Sequence, residues 1–109
     1  AYGPHTGDKN YPDCRPTFSQ KIESSFNQGE IDGIKSGIRK NIQIWSPYRA
    51  KLSKKQLLKK GYDILGDKIF NTWSCYKNGK VQCGKCESCN NRKSAFVEAN
   101  IKDKTRYLR

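Results

Sequence analysis

Cys75-Tyr76-Lys77-Asn78-Gly79-Lys80-Val81-Gln82-Cys83-Gly84-Lys85-Cys86-Glu87-Ser88-Cys89 gathers four cysteines at spacing C-x7-C-x2-C-x2-C. Asn78 and Gly79 supply a tight turn able to fold Cys75 back against the other three, so that four thiolates can meet one ion. Zinc takes four such soft ligands in a closed tetrahedron with sulfur at about 2.3 Å, and a site of this kind keeps no open position for catalysis. The expectation is therefore a structural staple at Cys75, Cys83, Cys86 and Cys89, with no zinc-bound nucleophile. Iron–sulfur clusters also use C-x2-C-x2-C runs, but here the fourth ligand precedes the triplet and no proline follows Cys89, which favours zinc.

Composition explains why a staple matters. The chain has 109 residues, only 34% of them hydrophobic, and a mean hydropathy of −0.95. That is one domain's length with a thin core, because small domains bury a modest share of their surface. A metal site rarely exists in the unfolded chain, so metal affinity becomes folding free energy. Charge is strongly one-sided: 22 Lys and Arg against 10 Asp and Glu leave +12, and four thiolates with one dication (−4 + 2) would bring it to about +10.

Cys14 makes the cysteine count odd, at five, which argues against a paired disulfide framework. The start AYGPHTGDKNYPDCR lacks the basic and apolar regions of a signal peptide, and no apolar run approaches the roughly 18 residues of a membrane span. A reducing, cytoplasmic setting is the expectation. The sequence has no Met and begins at Ala1. Initiator removal accounts for this, as does an origin in a longer, processed or split polypeptide.

Along the chain, residues 2–15 are dense in Gly, Pro, Asp and Asn and read as an extended loop. Pro16 opens an amphipathic helix to about Gln28, with Phe18, Ile22 and Phe26 on one face and Gly29 closing it. Ile31 to Lys40 is irregular or a short helix, weakened by Gly33 and Gly37. Ile42, Ile44 and Trp45 alternate with polar residues up to Pro47, the pattern of a short strand. Ser53 and Gln56 match a capping box ahead of a helix carrying Leu57, Leu58, Tyr62 and Leu65, with Gly66 as its stop. Ile69 to Trp73 reads as a brief extended piece, and a last helix spans Glu87 to Asn100 with Cys89, Phe96 and Val97 on one side. The charged tail from Lys102 reads as loose at its end.

Several residues admit a plain and a functional reading. Cys14 is either a small buried thiol or a reactive one whose pKa Arg15 lowers. Arg15, Arg92 and the run Lys51, Lys54, Lys55, Lys59 and Lys60 are either solvated charges or a field for the phosphates of ATP or of a nucleic acid. Trp73 and Tyr76 flank the metal loop, where packing over the site is favoured above stacking on a substrate. His5 is the only histidine and is left unassigned.

Tyr11-Pro12-Asp13-Cys14-Arg15-Pro16-Thr17-Phe18, Leu52-Ser53-Lys54 with Gly61, Thr72-Trp73-Ser74-Cys75-Tyr76, and the triplet Cys83 to Cys89 with Arg92, Ala95 and Phe96 occur in one order. Taken together they resemble the C-terminal half of the 7-cyano-7-deazaguanine synthase (preQ0 synthase) family. The resemblance implies an α/β fold, here the C-terminal portion of an adenine nucleotide alpha hydrolase-like (PP-loop ATPase) fold, mostly helical with a short strand and a four-cysteine zinc loop. It implies a cytoplasmic ligase that uses ATP and Mg2+ to convert 7-carboxy-7-deazaguanine and ammonia to the nitrile, through an acyl-adenylate and then an amide. Carried over by motif, Cys75, Cys83, Cys86 and Cys89 are the zinc ligands, and Asp13, Cys14, Arg15 and Lys54 lie near substrate.

One departure shapes the expectation. Family members carry a glycine-rich SGGxDS loop for ATP, and this chain has no Gly-Gly pair to form one. The whole of residues 1–109 is expected to be the zinc-containing part of the synthase-like domain, inactive without an N-terminal ATP-binding half as partner, with a homodimer left open. The competing reading is a free-standing basic zinc module that binds nucleic acid, less favoured because the spacing matches no recognised finger or ribbon.

Overall fold

A computed structural model of the chain describes residues 1–108, which divide between two compact units, Ala1–Ser53 and Lys54–Arg109. Among the described residues there is no β-strand, and no helix is long and apolar enough to cross a membrane.

In the first unit the N-terminal loop holds two 3-10 turns, Thr6–Asp8 and Pro12–Cys14, in place of a wholly irregular segment. His5 caps the first of them: its Nδ1 accepts the Gly7 N–H at 3.1 Å while its own N–H donates to Asp8 at 2.9 Å. This gives the lone histidine a structural role. Helix α1 covers Pro16–Gly29, with proline at its first turn as expected. Helix α2 covers Ile31–Lys35, and Gly37 at φ +78° follows it in the left-handed region that glycine takes without strain.

The alternating segment after α2 does not form a strand. Side chains of α1 take the hydrogen bonds that a neighbouring strand would have made. Asn27 donates to the Ile42 carbonyl at 3.0 Å and accepts the Ile42 N–H at 2.7 Å. Glu23 accepts the Ile44 N–H at 2.7 Å and pairs with Arg49 at 2.6 Å, while Arg49 also donates to the Ile44 carbonyl. Backbone groups need partners, and here the partners are side chains. The fully covered side chains of this unit are Ser19 and Ser46, and Pro4 and Pro47 are buried as well. Phe18, Phe26 and Trp45 are 44%, 55% and 48% exposed, so the apolar stripe of α1 is largely uncovered.

In the second unit α3 covers Lys54–Leu65, starting right after the predicted cap Ser53. Gly66 at φ +55° ends it and passes the chain into a 3-10 helix, Gly66–Asn71, where sequence reasoning expected an extended piece from Ile69. Gly61 lets this turn close on α3, since a Cβ there would lie 2.8 Å from Ile69 Cδ1. Helix α4 covers Glu87–Glu98. Its buried side is Cys89, Arg92, Ala95 and Phe96, continued by Ala99, whereas Val97, assigned to that side from sequence, is 80% exposed. Phe70 stacks on Phe96 with ring centroids 5.3 Å apart, and Tyr62 meets Phe70 edge-on at 6.2 Å. Three of the buried apolar residues are cysteines of the metal loop; the rest are Ala95, Phe96 and Ala99.

Candidate metal centre

The knuckle 75–89 turns on Gly79 and Gly84 and delivers Cys89 from the first turn of α4. The four Sγ atoms of Cys75, Cys83, Cys86 and Cys89 all lie within 4.8 Å of one another. Cys83 and Cys89 are 3.9 Å apart, as are Cys86 and Cys75. Zinc–sulfur bonds of about 2.3 Å in a tetrahedron place sulfurs about 3.8 Å apart, so the donor set fits a four-coordinate ion. Cys75, Cys83 and Cys89 are buried and no disulfide links them.

Backbone amides aim at the sulfurs. The N–H groups of Lys77 and Cys83 donate to Cys75 at 3.3 Å, and those of Lys85 and Cys86 donate to Cys83 at 3.5 and 3.3 Å. Such donors stabilise thiolate over thiol. The Lys85 and Cys86 amides bring the Cys83 thiol down to about 6, and the Tyr76 and Cys89 amides lower Cys86. Cys89 goes the other way, pushed up to about 12 by burial and by the neighbouring Cys86 thiol. Four sulfurs this close cannot all carry charge in a dry pocket unless a cation shares it, and a coordinating cation ionises such thiols outright. These four side chains could together hold a metal ion.

Other residues lock the knuckle in place. Buried Gln82 accepts the Ser74 N–H at 3.1 Å and donates to the Thr72 carbonyl at 3.3 Å. Its own backbone carbonyl takes the Leu108 N–H at 2.8 Å, in a parallel bridge between Gln82 and Tyr107. The tail through Leu108 is thus tied down, contrary to the loose end read from its charge; Arg109 lies outside the described residues. Tyr107 packs against the sulfurs, donates to Asp103 at 2.6 Å and has its phenol pushed up to about 12 by burial and that carboxylate. Lys93 sits over the Tyr107 ring at 4.5 Å and donates to the Gly84 carbonyl at 2.8 Å. Trp73 and Tyr76, expected over the site, are 50% and 76% exposed; the Trp73 indole N–H instead donates to the Cys75 carbonyl at 2.8 Å. Sequence reasoning missed Tyr107, far from any motif, and Gln82, although it sits inside the cysteine loop next to Cys83.

The remaining site candidates fall in different places. Asp13, Cys14 and Arg15 lie together at the Pro12–Cys14 turn and the start of α1, where Arg15 Nε donates to the Lys9 carbonyl at 2.9 Å and the Tyr2 hydroxyl donates to the Asp13 carbonyl at 3.3 Å. Arg15 does not activate Cys14 as a nucleophile. Burial, with the Asp13 and Asp8 carboxylates, raises the Cys14 thiol above its ordinary range and keeps it protonated. Lys54 opens α3 and lines a pocket with Leu57, Leu58 and Arg92.

Against protein families, the profile described as "Queuosine biosynthesis protein QueC" matches residues 1–100. The chain belongs to the QueC family. Its QueC relatives include the 7-cyano-7-deazaguanine synthase of Methanosphaerula palustris, 39% identical over 89% of this chain and 40% of the relative. The 7-cyano-7-deazaguanine synthase 1 of Colwellia psychrerythraea is 38% identical over 97% of this chain and 44% of the relative. That of Campylobacter hominis is 39% identical over 90% and 41%. The chain therefore spans less than half the length of these QueC relatives. No solved structure matches it significantly.

Proposed function

We propose that this chain is the metal-carrying, C-terminal part of an ATP-dependent 7-cyano-7-deazaguanine synthase of PP-loop ATPase type, in which a nucleotide-binding portion supplies the ATP site. The reaction read from the resemblance joins ammonia to 7-carboxy-7-deazaguanine and ends at the nitrile, at the expense of ATP with Mg2+. What carries the reading is the similarity along residues 1–100 to proteins that bear this name. The uncovered stripe of Phe18 and Phe26 supports it, since so large an apolar surface suits a helix that packs on more protein.

Zinc is the ion that this donor set favours, held by Cys75, Cys83, Cys86 and Cys89. In a closed four-sulfur site it supplies cross-linking, with no open position for substrate. This chain's own part in the reaction is to bind and orient. Asp13 and Arg15 offer charge of each sign near the protonated Cys14 thiol, and Lys54 offers a cation to an acidic substrate. A cytoplasmic, reducing compartment keeps the sulfurs available to metal.

The test is reconstitution. Zinc-loaded chain, alone and together with the nucleotide-binding portion of a QueC relative, is supplied with 7-carboxy-7-deazaguanine, ATP, Mg2+ and ammonium, and the nitrile is followed by mass spectrometry. Nitrile formation only in the combination is expected. Nitrile from the chain alone would overturn the division of labour, and none from a zinc-loaded, stably associated combination would overturn the activity.

A further inference from the structure

Charge is unevenly divided between the two units. Residues 54–109 carry 14 Lys and Arg against 5 Asp and Glu, whereas residues 1–53 carry 8 against 5. From Lys68 to Cys86 there are four lysines and no carboxylate. A cleft of about 410 Å³ lies in this stretch, walled by Phe70, Asn71, Trp73 and Lys80 and, from the C-terminal tail, by Lys104 and Arg106. No acidic residue lines it. Lys104 is neutralised by Asp67 at 2.6 Å, but Lys80 and Arg106, both exposed, make no ion pair among the described residues.

Exposed cations alone need no ligand, since water serves them well. The aromatic ring beside them is the independent observation. Trp73 Nε1 donates to the Cys75 carbonyl at 2.8 Å, which fixes the indole to the metal knuckle and leaves it half exposed. A large ring held still in water loses little freedom when a flat partner stacks on it. Asn71, on the same wall, adds a side-chain amide that can both donate and accept at the edge of such a partner. Lys77 and Lys85, exposed on the same knuckle, continue the carboxylate-free charge outside the cleft, which suits a chain of phosphates more than a single one. Stacking platform and positive groove together are the recognition mode of unpaired strands, because every base has a face to stack and the phosphates follow the charge. A duplex keeps its base faces inside, and an acidic polypeptide has no flat ring at each anionic step.

We propose that this cleft binds single-stranded nucleic acid, with one base on Trp73 and the adjoining phosphates at Lys80 and Arg106. The surface needs no finger or ribbon spacing. It is separate from the sulfur cluster and from the pocket lined by Lys54 and Arg92, and it goes beyond the synthase reading without depending on it.

The probes are fluorescein-labelled oligo(dT) and oligo(rU) of about 10 nucleotides, titrated with the zinc-loaded full chain and followed by anisotropy over a range of salt concentrations. Saturable binding of at least one is expected, and the tighter of the two identifies DNA or RNA as the source. On single strands each neutralised phosphate contributes about 0.7 to the slope of log affinity against log salt, so Lys80→Gln and Arg106→Gln should each weaken binding and flatten that slope by about 0.7. Trp73→Leu should weaken binding about tenfold at an unchanged slope, and Trp73→Phe, which keeps a ring, should recover part of the loss. Zinc content and unfolding midpoint are measured for every variant; should Trp73→Leu lose metal, the Lys80 and Arg106 slopes decide. Lys40→Gln and Lys59→Gln, at exposed lysines outside the cleft, should bind like the parent. The proposal is overturned if neither oligonucleotide saturates, if the two control variants lose as much as the cleft variants, or if metal-loaded Trp73→Leu binds like the parent. It is equally overturned if ATP or polyglutamate at equal anionic charge displaces the strand as well as unlabelled oligonucleotide does, since the cleft would then serve a mononucleotide or an acidic protein. None of these readouts needs turnover, so failure here leaves the synthase reading standing, and failed reconstitution leaves this surface standing.

Discussion

Removing the metal should unfold the second unit, because its buried apolar set is little more than the cluster itself. Outside Cys75, Cys83 and Cys89, the buried apolar residues are Ala95, Phe96 and Ala99. Full burial of Phe96 contributes about 1.5–3 kcal/mol, and each alanine contributes less. Structural zinc in small cysteine sites contributes about 10–16 kcal/mol at neutral pH, against a total stability of about 5–15 kcal/mol for an ordinary domain. Loss of the ion therefore exceeds what the remaining core holds. The assay is far-ultraviolet circular dichroism and tryptophan emission during titration of holo protein with a strong chelator, alongside metal analysis. Helix signal from α4 should fall in step with zinc released, and Trp73 emission should change as its indole hydrogen bond to the Cys75 carbonyl breaks. One zinc per chain is expected at the outset. If metal leaves stoichiometrically while dichroism and emission hold steady, the sulfurs are not what keeps this unit folded and the reasoning fails.

Gly84→Ala should destabilise the holo protein by about 1–3 kcal/mol in chemical denaturation, since the residue sits at φ +71° and a Cβ would lie 3.1 Å from that of Tyr107. Gln82→Ala strands the Ser74 N–H and the Thr72 carbonyl, and a loss of about 1–3 kcal/mol by the same measurement is expected, with zinc affinity reduced. Glu23 has its carboxyl held below the ordinary range by the Arg49 hydrogen bond and then by the Ile44 amide. Its contribution is complete above the unfolded value of about 4.3 and fades as pH falls through the lower folded value, so the Ile44 amide resonance should shift, and exchange faster, only at strongly acid pH. Glu23→Gln should remove that transition from the titration, and its persistence would reassign it to another carboxyl.

The metal loop was legible because ligand spacing is a local, stoichiometric constraint: C-x2-C-x2-C can bend round an ion almost regardless of what surrounds it. Helix α1 was legible for a similar reason, its Phe18, Ile22 and Phe26 period giving an end within one residue of the observed Gly29. The strand at 42–45 failed because alternation only says that a segment is extended. Whether it pairs depends on what else offers hydrogen bonds, and Asn27 and Glu23 reached it from α1. Arg92 was read as one charge among many, since its inward direction follows from Thr72, Ser74 and Thr105, remote in sequence. Tyr107 was hidden by the charged tail around it; its place is set by a bridge to Gln82 that no local pattern encodes.

The two units solve the shortage of apolar residues by different means. Residues 1–53 bury no large apolar side chain and instead close their backbone with side chains, at His5, Asn27, Glu23 and Arg49. Residues 54–108 substitute sulfur and a cation for hydrocarbon, then brace the knuckle with Gln82 and Tyr107. Hydrogen bonds to charged groups contribute about 1.5–3 kcal/mol each and weaken when the carboxylate is protonated, whereas a sulfur-bound ion responds to chelators and oxidants. Glu23→Ala should thus loosen the Ile42–Ile44 backbone while α4 stays closed, and a chelator at neutral pH should do the reverse. An amide-exchange experiment that found both regions opening together under both treatments would show that the metal and the Glu23 network act as a single cooperative unit.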